Sequence, residues 1–72
     1  MDASEHADLM SRLFAVLTGR LEDAAEIAAG GLGRTGTESA YSRASQLITI
    51  GREVATVSEA VAALCSVEKA AG

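Results

Sequence analysis

Large aliphatic residues recur through the second half of the chain with the period of a helix. Leu47, Ile50, Val54, Val57, Val61 and Leu64 are separated by 3, 4, 3, 4 and 3 residues. Local composition pulls the other way, because Ile48, Thr49, Ile50, Val54, Thr56, Val57 and Val61 are β-branched and favour strand. A half-buried strand needs strict alternation, and Arg52 falls where Ile48 and Ile50 predict an apolar residue. The spacing therefore predicts a helix. Thr49, Arg52, Glu53, Thr56 and Glu59 supply its polar face.

Beside this stripe runs a second one: Ala44, Ile48, Gly51, Ala55, Ser58, Ala62 and Cys65, again stepping by 4 and 3, and small at every position except Ile48. A glycine inside a helix costs about 1 kcal/mol relative to alanine. Close approach of a neighbouring helix backbone along this seam is the expected compensation for Gly51.

In the first half, Met10, Leu13, Leu17, Leu21, Ala24 and Ala28 step by 3, 4, 4, 3 and 4 and predict another helix, with Phe14 beside its stripe. Asp2 with Glu5, or Ser4, offers its N-cap. The only strong punctuation is GGLGRTG at 30–36, four glycines in seven positions of a chain without proline. Gly30 or Gly31 is expected to supply the left-handed residue that ends the first helix, and Thr35-Gly36-Thr37-Glu38 has the form of a capping box for the second.

The predicted fold is all-α: one domain over residues 1–72, an antiparallel hairpin with a helix over about 4–29, a glycine loop at 30–36 and a helix over about 36–70. A break at Thr18-Gly19-Arg20 would give three helices instead. Helices of these lengths measure about 38 and 52 Å. The second is expected to overhang the first by about three turns, carrying its stripe out to Leu64. An exposed stripe calls for a partner, and two hairpins pairing into a four-helix bundle dimer would satisfy it.

Composition supports association. Seventy-two residues make a thin core, 49% are hydrophobic yet only Phe14 and Tyr41 are aromatic, and the single Cys65 excludes an internal disulfide. The formal charge of −4 argues against phosphate backbones and anionic membranes as default partners. No run is long and apolar enough for a transmembrane helix. The acidic start MDASEHADLM lacks the apolar region of a signal peptide, and with one thiol the expected compartment is the cytoplasm.

Candidate chemistry is sparse. Asp2 and His6 could offer two metal ligands, but a solvated N-terminus explains them as well. Cys65 lies on the small seam and reads as a packed residue. Glu22, Asp23 and Glu26 form a solvated acidic face, and GGLGRTG lacks the spacing of a phosphate-binding loop. No catalytic, metal or cofactor site is expected.

The functional expectation is a small acidic non-enzymatic module, adaptor-like, chaperone-like or regulatory, acting by self-association and helix-face binding to a second copy or another helical protein. Its interface would use Met10, Leu13, Phe14, Leu17, Leu21, Leu47, Ile50, Gly51, Val54, Ala55, Val57, Val61 and Leu64. The alternative is an RNA- or DNA-binding regulator in which Arg20, Arg34 and Arg43 cluster near the turn. No aromatic residues interleave with these arginines, and nucleic acid is the less favoured partner.

Overall fold

The computed structural model describes residues 2–33 and 36–71. It contains two helices, α1 (Ala3–Gly30) and α2 (Thr37–Ala71), packed against each other as a hairpin. The long axis is 53 Å, the length that about 35 residues of α-helix span, so α1 lies wholly alongside α2.

Asp2 starts α1. Its Oδ1 accepts the amide of Glu5 at 2.8 Å, one of the donors left over in a first turn. The helix runs unbroken through Gly19, so the three-helix alternative does not hold. The end of α1 differs from expectation. Gly30 is helical, and Gly31 caps the helix with right-handed angles (φ −83°, ψ −14°). The left-handed residue is Gly33, at φ 75°.

Gly30 and Gly31 serve close approach instead. The Arg43 guanidinium crosses from α2, and its Nη1 donates to the Ile27 carbonyl at 2.9 Å, where the helix leaves acceptors without amide partners and a cation complements the dipole. A Cβ on Gly30 would lie 2.5 Å from that Nη1, and one on Gly31 would lie 3.3 Å from Arg43 Cδ. Thr35, which would open the capping box, falls outside the described residues.

The contact between the helices follows a strict heptad on both sides. On α2 it is the predicted stripe from Leu47 to Leu64, with Ile50 buried and the other five half-buried. On α1 it is Met10, Leu13, Leu17, Arg20, Ala24 and Ile27, all half-buried except the buried Leu17. The expected Leu21 and Ala28 are both exposed. From Leu17 the repeat steps by three to Arg20, not by four to Leu21. An arginine is tolerated there because its stem packs while its head reaches Asp23 and Glu53, both at 3.2 Å.

Two cross-helix contacts set the register. Gly31 packs at Arg43 and Arg20 pairs with Glu53, residue numbers that add to 74 and 73. Continued along the hairpin, this places Leu17 level with Val57, Met10 level with Leu64, and Ala3 level with Ala71. The predicted overhang at Leu64 is therefore absent. The surplus of α2 lies at the other end, about two turns past the end of α1. There Leu32 is 80% and Tyr41 75% exposed. The expectation assumed that both helices begin level at the loop.

Because the guanidinium of Arg43 stops the last turn of α1, Arg43→Met should destabilise the hairpin by about 1 to 2 kcal/mol. In a chain of this size that is a fall in Tm of roughly 5–10 °C, read by thermal unfolding. An unchanged Tm would show that the cap contributes nothing.

Candidate interaction face

Nine of the thirteen residues expected at a partner interface line the hairpin's own seam: Met10, Leu13, Leu17, Leu47, Ile50, Val54, Val57, Val61 and Leu64. The other four, Phe14, Leu21, Gly51 and Ala55, are exposed. Phe14 is 53% and Leu21 55% accessible, and nothing lies within 4 Å of where a Cβ on Gly51 would sit. The small seam therefore does not serve packing inside the chain: α1 sits on the aliphatic stripe, one helical edge away, and the glycine has no compensation within the hairpin.

These exposed positions belong to one surface. On α1, Ser11, Phe14, Thr18, Leu21, Ala25 and Ala28 step by 3 and 4 along the edge beside the core stripe, and every one is exposed. On α2 the equivalent edge carries Tyr41, Ala44, Ile48, Gly51, Ala55, Ser58, Ala62 and Cys65, again all exposed. In an antiparallel pair these two edges flank the seam on the same side. An open groove of about 330 Å³ near the turn shows it, since Ala28 of α1, Leu32 of the turn and Ala44 of α2 line it.

No charged residue occurs among these positions. The Thr18 hydroxyl donates to the Phe14 carbonyl at 2.9 Å, so its polarity is spent on its own helix. The opposite side of the seam is mixed: Val16 and Val67 are exposed there, but it carries charge, with Glu53 meeting Arg20 across the helices.

The chain exposes more surface than its mass calls for. A compact chain of 7.3 kDa exposes about 4,200 Å², whereas this one exposes 5292 Å². Among the described residues Leu17 and Ile50, each 8% accessible, are the only buried hydrophobic residues.

Residues of the other expected chemistries sit apart from this face. Arg20 is held by Asp23 and Glu53, Arg43 caps α1, and Arg34 lies outside the described residues. Asp8 and Arg12 pair at 3.4 Å across one turn, as their i, i+4 spacing implies. Cys65 is exposed, not packed as expected. Among the described residues no cluster of His, Cys, Asp or Glu is placed to hold a metal ion, and no helix is long and apolar enough to cross a membrane.

The charge-free face was half legible in the sequence. Its α2 edge is the small stripe. Its α1 edge was merged with the core stripe, because Leu21 and Ala28 sit one residue away from Arg20 and Ile27.

Comparison with family models finds no match, and no curated protein or solved structure matches the chain either.

Proposed function

We propose that this chain is a non-enzymatic protein–protein interaction module that works by covering its charge-free face with other helices. The observation that carries the reading is the pair of parallel edges just described, apolar or small over most of the hairpin's length and exposed throughout. Contiguous apolar surface of this extent marks association sites on soluble proteins. A standard interface covers about 800 Å² per partner, and the chain exposes about 1,100 Å² more than a compact fold of its mass. Two buried hydrophobic residues make a thin core for a free-standing domain, so the partner also completes the fold.

The placement of the arginines favours this over nucleic-acid binding. Phosphate contacts need free cationic heads on one face, and both described members of the expected cluster are spent on contacts within the hairpin.

Glutamates at Leu21 and Ala55 test the reading. The expected result is that this double variant keeps its helix signal on a folded monomer but loses thermal stability and assembly, measured by circular dichroism and light scattering over a concentration series. Thr49→Glu with Thr56→Glu, on the polar face of α2, should leave both readouts at the parent's values. Equal behaviour of the two variants would remove the face from any role.

A further inference from the structure

We infer that the partner on this face is a second copy of the chain, packed with both loops at the same end so that α1 of each copy lies on α2 of the other. This rests on the reading of the face as an interaction surface and assigns its occupant and orientation.

Three observations lead there. The first is the distribution of size. With a two-fold axis along the hairpin, the register that pairs α1 with its own α2 also sets α1 against α2 of the second copy. Phe14 then comes level with the gap between Ser58 and Ala62, and Leu21 with the gap between Gly51 and Ala55. Ile48 in turn comes level with the gap between Ala25 and Ala28. Each of these three side chains meets a place where the opposing helix carries small ones, the condition for close interdigitation. Gly51, which has open space around its missing Cβ, becomes the floor under Leu21 of the second copy. Loops at opposite ends would instead pair α1 with α1 and α2 with α2. The small edges would then meet each other and draw close, while Phe14 and Leu21 held the α1 helices apart.

The second observation is charge. The next position outward on each helix carries Glu22 on α1 and Arg52 on α2. Neither makes an ion pair among the described residues. Their numbers add to 74, the same register, so Glu22 of one copy comes level with Arg52 of the other, beside the contact of Leu21 with Gly51. The two-fold makes this pair twice. The third observation is area: the surplus exposed surface is of the size that a standard interface covers.

Disulfide trapping tests the arrangement. With Cys65→Ser as background, Glu22→Cys and Arg52→Cys are combined in one chain. These positions lie on opposite outer edges of a single hairpin, so a bond between them joins two chains. A mild oxidant should convert most of this variant to covalent dimer, while either single cysteine stays uncrosslinked and the helix signal matches the parent. The competing arrangement runs the outer edges of the two α2 helices side by side, and the pair Arg52→Cys and Glu59→Cys, both on that edge, reports it.

Trapping through that second pair, or through neither, overturns the proposal even if the chain self-associates, and leaves the interaction reading standing. A parent chain that stays monomeric by light scattering overturns the second copy as occupant.

Discussion

Val57→Asp should unfold the chain rather than merely separate its copies. Val57 is half-buried on the inner stripe of α2, level with Leu17, one of the two buried hydrophobic residues. The substitution removes about 1.5 kcal/mol of aliphatic burial and brings a carboxylate to a contact with no cation on that stripe nearer than Arg20. A carboxylate without a partner in such a place costs roughly 1–3 kcal/mol more. A single small core supplies about 3–5 kcal/mol in all, so the loss consumes most of it. The far-ultraviolet helix signal should collapse at 25 °C. Thr56→Asp, one residue earlier on an exposed position, should stay within about 0.5 kcal/mol of the parent, as exposed substitutions generally do. A helical Val57→Asp chain, monomeric or not, would mean that the hairpin does not depend on this seam.

Gly51→Leu should separate two quantities that usually move together. On the hairpin alone it is favourable: nothing lies within 4 Å of the new Cβ, and leucine is a better helix former than glycine by about 0.8 kcal/mol. Helical content at low concentration should rise or hold. On the assembled form it is unfavourable, because the side chain fills the space that Leu21 of a second copy would occupy, and overpacking a close contact costs typically 1–3 kcal/mol. The apparent Kd of self-association should therefore rise by roughly five- to a hundredfold, read by light scattering or sedimentation. Gly51→Ala, which adds one methyl, should fall between. A leucine variant that assembles as tightly as the parent would show that the glycine faces open solvent in the working protein.

Both experiments exploit the difference between two edges of α2, one packed against α1 and one exposed, to which the proposal gives opposite duties. Changes on the inner edge are felt by the chain itself, through the seam from Leu47 to Leu64. Changes on the exposed outer edge are expected to be felt on association, through the proposed interface. The interface expected from the sequence combined them, and nine of its thirteen members turn out to hold the hairpin together.

Much of the architecture was already decided by local rules acting over a few residues. The 3–4 spacing outweighed the β-branched composition of residues 48–57 and made α2 a helix. Asp2 with its acceptor for the Glu5 amide started α1, and the glycine run between two amphipathic segments enforced a hairpin. These signals need no knowledge of the partner helix, because each depends on neighbours within one turn. Tertiary structure alone decided which edge of α1 faces inward. A stripe can step from Leu17 to Arg20 or to Leu21, and the choice goes to Arg20 only because Asp23 and Glu53 are in place to receive its guanidinium. It also decided the axial offset, which moved the overhang from Leu64 to the loop. And it gave Gly30 and Gly31 their reason, for the space they leave is filled by an arginine a dozen residues away in sequence, on the other helix, and a one-dimensional pattern carries no record of that approach.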